Sequence, residues 1–257
     1  MIKFFGVIIL RCIFAVVKKR TPRMNIRLLV LALIAMMALA SCSSEYQIKG
    51  SSSVAGLDGK MLYVKVPDGL QMVNVDSAEV IHGNFQMEGE IDTTVIGSLY
   101  MDEQSIMPLV VEKGNIQIKI DNARFLVAGT PLNDKLYEFV GKKNLLDDRA
   151  YEVERMESRL IMEGVSVDEV EKKILQERQA IIKEQDALVK GFISENYENV
   201  LGPGVFVMLC NSLPYPIVTP LIEDIMENAP ASFKENLLVK EYMKVARQNM
   251  ESMNAQK

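Results

Sequence analysis

The hydrophobic pattern changes period once, and that change limits the fold more than any other feature. From Tyr46 to Gly129 apolar and polar side chains alternate. Leu62, Val64 and Val66 are separated by Tyr63 and Lys65. Phe85, Met87 and Ile91 are interleaved with Gln86, Glu88 and Glu90, and Ile116, Ile118 and Ile120 with Gln117 and Lys119. Period-two alternation marks strands with one buried face and one wet face, as in antiparallel sheets. Turn compositions punctuate the run at Leu57-Asp58-Gly59-Lys60, His82-Gly83-Asn84 and Lys113-Gly114-Asn115. About seven to eight short strands are expected, in a β-sandwich or open barrel.

At Gly129-Thr130-Pro131 the period becomes helical. Thr130 is placed to cap, and Pro131 suits the first helical position. Leu132, Leu136, Phe139 and Val140 then share a helical face, and a long polar helix runs to about Met162 before Gly164. Ser166 and Glu169 have capping-box spacing for a second helix. In it Ile174, Ile181 and Leu188 recur every seven residues, shadowed by Leu175, Ile182 and Val189. A long antiparallel helical hairpin is expected; a coiled-coil dimer is the rival, with too few sustained heptads to prefer it. Shorter helices follow, one from Pro203 through Cys210, one from Pro220 through Asn228, and a last one capped by Ser232 with Glu235. The expected class is α+β, an antiparallel β-sandwich or open barrel followed by a long helical hairpin and short C-terminal helices. With no Ser/Gly/Pro-rich linker, compact packing is favoured over two independent domains. The expected organisation is a leader over 1–41, a β-rich domain over 42–129 and a helical region over 130–257, packed on that domain or projecting from it.

Charge divides the chain differently. The first 41 residues hold seven basic side chains and no acid, leaving 22 basic against 34 acidic residues in the rest. A basic leader on an acidic body is an export signature, and the acidic body argues against nucleic acid as a partner. Read from Met24, a short basic segment precedes the apolar run Leu28–Ala38, which closes on Leu39-Ala40-Ser41-Cys42. That run is too short for a stable membrane span. Its ending matches the bacterial lipobox, where small side chains fit the signal peptidase and the cysteine thiol accepts diacylglycerol. A lipoprotein signal peptide over 24–41 is therefore expected, with Cys42 as the lipidation site and membrane lipid as its partner. Ser43 favours the outer membrane, with periplasmic and cell-surface orientations both open. Residues 1–23 fit this scheme poorly; a translation start at Met24 and a start at Met1 with a second, minority apolar helix both stay open.

Little material remains for catalysis. The chain has three cysteines, one histidine and no tryptophan. Cys12 falls in the leader, and Cys210 lies in the apolar run Val205–Cys210, where a thiol is expected to be a buried, inert hydrophobe. There is no Cys-x-x-Cys. His82 reads as a hairpin-tip residue tolerant of unusual backbone angles rather than an acid/base. Asp147-Asp148 and Glu223-Asp224 read as solvated helix faces, with a carboxylate hydrolase kept as a remote alternative. Asp58-Gly59-Lys60 lacks the ligand spacing of a calcium loop, and no phosphate loop is present. The 16 methionines are spread as gap-fillers. No cofactor, metal or catalytic residue is expected.

Five segments taken together resemble a known family: Tyr46–Gly50, Asp76–Val80, Gly83–Gly89, Val111–Ile116 and Gly129–Asp134. They are similar to the uncharacterised β-rich N-terminal domain of envelope lipoproteins that carry a C-terminal thioredoxin-like, thiol-specific-antioxidant-type domain. The likeness is good over roughly residues 45–140 and loose in the helices beyond. In that family the chemistry belongs to the thioredoxin-like domain, which would begin near Lys257. Without a Cys-x-x-Cys here, neither the redox activity nor any catalytic residue carries over. The resemblance implies a non-enzymatic envelope module that binds or interacts. The alternative it implies is an accessory subunit for a separate thioredoxin-like thiol-disulfide oxidoreductase.

Overall fold

A computed structural model describes residues 45–255. The leader, its signal segment and Cys42 lie outside the described residues. Eight strands form two four-stranded sheets. They are β1 (Glu45–Ser52), β2 (Met61–Asp68), β3 (Gln71–Glu79), β4 (Asn84–Glu90), β5 (Val95–Met101), β6 (Gln104–Val111), β7 (Gly114–Ile120) and β8 (Phe125–Ala128). One sheet has the order β4-β1-β7-β8 and the other β3-β2-β5-β6. The expected sandwich class is observed, without a closed barrel. One pairing departs from the antiparallel expectation, since β1 and β7 run parallel with Ile48 beside Ile116. The reason is topological: the chain crosses to the second sheet through β2 and β3, returns as β4 on one side of β1, crosses again through β5 and β6, and β7 then enters on the other side of β1 from the end at which β1 began.

The alternation predicted from sequence is realised in the burial. Ile48, Phe85, Met87, Ile116, Ile118 and Ile120 line the inner face of the first sheet, and Leu62, Val64, Leu99, Met107 and Leu109 that of the second. β6 also buries Val110 on its outer face, because the helical layer covers that side. There α3 (Leu201–Asn211) comes so close that a Cβ on Gly204 would stand 2.6 Å from the Ile96 side chain.

The helices follow as α1 (Pro131–Met162), α2 (Val167–Glu195), α3, α4 (Pro220–Asn228), α5 (Ala231–Lys234) and α6 (Leu237–Ala255). Leu136, Phe139, Phe192, Ile193, Phe206 and Phe233 join both sheets in one apolar cluster, so the strands and the roots of the helices share a core.

Several helix starts differ from the sequence expectation. Thr130 occupies the N-cap position of α1 but its hydroxyl caps no backbone group. The capping acceptor is the carboxylate of Glu112, 20 residues earlier, whose Oε1 accepts from the Leu132 and Asn133 backbone N–H groups at 2.9 and 3.1 Å. Ser166 and Glu169 meet side chain to side chain, with no side-chain cap on the backbone. Ser232 donates to Glu198 instead of capping the last helix, whose first N–H groups are taken by Asn236 Oδ1. Pro220 opens α4 as expected, and Thr219, which the sequence reading did not single out, caps it by accepting from Ile222 N–H.

β6 is an edge strand, and an exposed edge invites pairing with another chain. Helix α1 closes it with side chains. The Asn133 amide accepts from Val110 N–H at 2.8 Å and donates to Val110 C=O at 2.7 Å, imitating a ladder partner. One turn on, the Tyr137 hydroxyl donates to Pro108 C=O at 3.0 Å. Pro108 is tolerated there because its missing N–H falls on the edge side of the strand.

Candidate functional site

Helices α1 and α2 form an antiparallel hairpin whose two ends are built differently. At the root, Phe139 stacks on Phe192 with ring centroids 4.4 Å apart, and both belong to the main core. Beyond about Ala150 the hairpin has a core of its own, made of Val153, Val170, Ile174 and Ile181 with Ala150, Met156, Leu160 and Val165 packed against it. No residue of this second cluster belongs to the first. From Ala150 to Met162 the helix rises by roughly 18 Å. The hairpin is thus rooted in the shared core and continues past it as an arm with its own cluster.

Charge pairs stitch the arm along its length. Arg149 makes a bidentate bond to Glu184 at 2.6 and 3.1 Å, Gln185 donates to Asp147 at 3.0 Å, and Arg178 lies 3.6 Å from Glu157. The Arg149 hydrogen bond lowers the Glu184 carboxyl below its ordinary range. These pairs are solvent-exposed, so they set alignment more than stability.

The arm also carries apolar side chains that nothing in the structure covers. Leu175 is 54% exposed and Ile182 55%, although seven-residue spacing suggested that they shadow the buried Ile174 and Ile181 inside the hairpin. They sit one residue round the helix, past the seam. Near the arm's end, Ile161, Val167 and Leu175 line a groove of about 350 Å³ rimmed by Glu157, Glu171 and Arg178. An apolar centre with a charged rim is the usual make-up of a protein-binding surface. A larger open groove of about 1210 Å³ between α4 and α6 presents Met226, Met243 and Met250 among Glu223, Lys244 and Arg247.

The residues singled out from sequence are dispersed. Cys210 is buried on α3 beside the Tyr242 hydroxyl, and burial pushes its thiol up to about 12, far from a usable nucleophile. His82 stands exposed with φ +50 and is followed by Gly83 at φ +71. Ile81 and Asn84 exchange both backbone hydrogen bonds across this pair, as in a type I′ hairpin. Asp58 lies close by, its Oδ1 accepting from Gly83 N–H, so the two turn motifs lock one end of the sandwich together. Asp147 pairs with Lys143, and Asp224 with Lys190. Among the described residues, no three of His, Cys, Asp and Glu are grouped so as to hold a metal, and no helix is long and apolar enough to cross a membrane.

Two features were not anticipated. Glu112 and Asn133, which tie helix to sheet, looked like ordinary turn and helix residues. The only available signal was a polar Asn on the apolar side of a helix, one position after Leu132. The separate core of the arm was likewise hidden, because periodicity gives a face but not its partner.

No match was found among curated proteins. A family model matches from Tyr46 through Leu136, a span that takes in the eight strands but for Glu45, together with the start of α1 as far as Asn133 and Leu136. Residues 46–136 match the model of a family described as a domain of unknown function, DUF4369, in line with the resemblance seen in the sequence.

Proposed function

We propose that this protein is a non-catalytic, lipid-anchored module of the cell envelope that uses its helical arm to bind a protein partner. The observation that carries the reading is the arm itself. It has a hydrophobic core independent of the domain, and it holds Ile161, Val167, Leu175 and Ile182 exposed in a charged setting. Isolated exposed apolar residues need no explanation, but four on one two-helix projection form a surface fit for a partner. The lipobox supplies the second half of the reading, with Cys42 acylated and the body anchored by that lipid at the outer membrane, facing the periplasm or the cell surface. Within it, the family resemblance favours one partner class, a separate thioredoxin-like thiol-disulfide oxidoreductase. The thiol chemistry would then belong to the partner, since Cys210 is enclosed.

The test is photocrosslinking in cells that produce the full chain. A photoreactive residue at Leu175 is compared with one at Gln86, on the sandwich. A discrete adduct formed from position 175 alone, and lost when Ile161 and Val167 are changed to Asp, is the expected result. Equal, diffuse capture from both positions overturns the arm as the binding element. Turnover of a substrate by the purified protein, abolished by a point change, would overturn the non-catalytic reading.

A further inference from the structure

The connections of the sandwich sort to its two ends. β1 begins at Glu45, opposite Glu90 at the close of β4, and its parallel pairing sets Tyr46 beside Gly114 at the start of β7. The β6–β7 turn at Glu112-Lys113 is therefore at this end, as is Val95, which pairs with Val111. β2 is antiparallel to β5, with Leu62 opposite Met101 and Lys65 opposite Ser98. The turn between β2 and β3 consequently falls at the same end as the N-terminus. In it Asp68 pairs with Gln71 across Gly69 and Leu70, and the φ of +61 at Gly69 is what the first central position of a type II′ turn requires. Leu70 is 65% exposed and Met72 46%. The turns at His82-Gly83, Asp102-Glu103 and Asp121–Arg124 lie at the opposite end.

We propose that Leu70 and Met72 form a second membrane contact, seated among the headgroups of a zwitterionic bilayer. This rests on the reading of Cys42 as lipidated. Three peptide steps separate Cys42 from Glu45. Fully extended they span about 11 Å, little more than the depth of one headgroup layer. A lipidated Cys42 therefore holds Glu45 within that distance of the membrane surface, and the turns at the same end of the sandwich are the ones within reach of lipid. A hairpin tip is normally polar, yet this one offers the bilayer a leucine and a methionine. Around it stand exposed Glu45, Asp68, Glu90 and Asp92, which repel anionic lipid and select a zwitterionic surface. The orientation that results also suits the arm. Helix α1 starts at the anchored end and runs along β6 from Val110 toward Pro108, carrying the hairpin away from the bilayer.

The experiment uses the full lipidated chain in vesicles of phosphatidylcholine and phosphatidylethanolamine, with mass spectrometry of the N-terminal peptide reporting acylation. A polarity-sensitive fluorophore is attached at Gln71→Cys, and in separate preparations at His82→Cys and Met162→Cys. Cys210, being buried, does not compete for the label. Quenching by shallow nitroxide lipids should be several-fold stronger at 71 than at 82 or 162. It should weaken as phosphatidylglycerol replaces the zwitterionic lipids, and fall to the level of position 82 when Leu70 and Met72 are both changed to Ser. Acylated protein that is quenched no more at 71 than at 82, or whose quenching survives the double change, overturns the contact. Absence of acyl chains on Cys42 overturns the anchored reading itself, an outcome separable by mass.

Discussion

Replacing Asn133 by Ala tests whether α1 is held to the sheet by the amide lock. The Asn133 side chain is fully buried and makes three hydrogen bonds, two with Val110 and one to Thr130 Oγ1 at 2.9 Å. Its loss strands the Val110 N–H and C=O beneath the helix, and a buried polar group without a partner costs about 1–3 kcal/mol. Two such groups give an expected destabilisation of about 3–5 kcal/mol, a large share of the stability of an ordinary domain. Urea unfolding of the unacylated Cys42→Ser chain without its leader, followed by far-UV circular dichroism, measures it. Asn133→Leu should cost about as much, since volume does not replace the bonds. Asn133→Asp adds a pH signature. Its carboxylate would face the Val110 carbonyl and lie near Glu112, so its folded pKa is raised above the ordinary value of about 3.9. The folded state then holds the extra proton, and the variant loses stability relative to the parent as pH rises above about 4. A loss below about 1 kcal/mol for Asn133→Ala, or a pH-independent deficit for Asn133→Asp, would refute the lock.

Two further expectations concern the arm and the thiol. Ile174→Asp should abolish amide protection from about Ala150 to Ile181 in hydrogen exchange while the strands keep theirs, because the arm's core is separate; loss of protection in β1 and β7 would show that it is not. Cys210 should react with an aromatic disulfide reagent at pH 8 only on unfolding, since a thiol near 12 is ionised there to about one part in 10⁴; labelling of the folded chain within minutes contradicts its enclosure.

Much of the fold was legible because one-sided burial leaves a periodic trace. Ile116, Ile118 and Ile120 announce a strand and its inner face, and Pro131 and Pro220 mark helix starts through a backbone donor they lack. What stayed hidden depends on groups distant in sequence. Glu112 caps α1 across 20 residues, so local capping grammar assigned the role to Thr130. Parallel pairing of β1 with β7 leaves no sign in either strand's alternation. Ile174 and Leu175 are adjacent and equally apolar, and only the position of α1 decides that the first is enclosed and the second bare. The candidate surface was legible as two residues of a heptad shadow, but its exposure was not.

The direction of the arm raises a last question, which the helix interiors answer with a measurable expectation. Gly141 on α1 and Gly191 on α2 lie close in sequence to Phe139 and Phe192, the stacked pair at the root. A Cβ at either glycine would meet nothing within 4 Å, and neither has a positive φ. Glycine is therefore not required there for space or for backbone geometry, yet each costs its helix up to about 1 kcal/mol relative to alanine. Both glycines therefore weaken their helices beside the stacked pair, where Val140, Leu188 and Val189 still pack against the shared core. Gly141→Ala and Gly191→Ala should each stabilise the protein by about 0.5–1 kcal/mol. The double variant should slow hydrogen exchange at the root without altering the strands. If either alanine destabilises the chain, the open space at that glycine is wrong and a constraint of packing or backbone holds it.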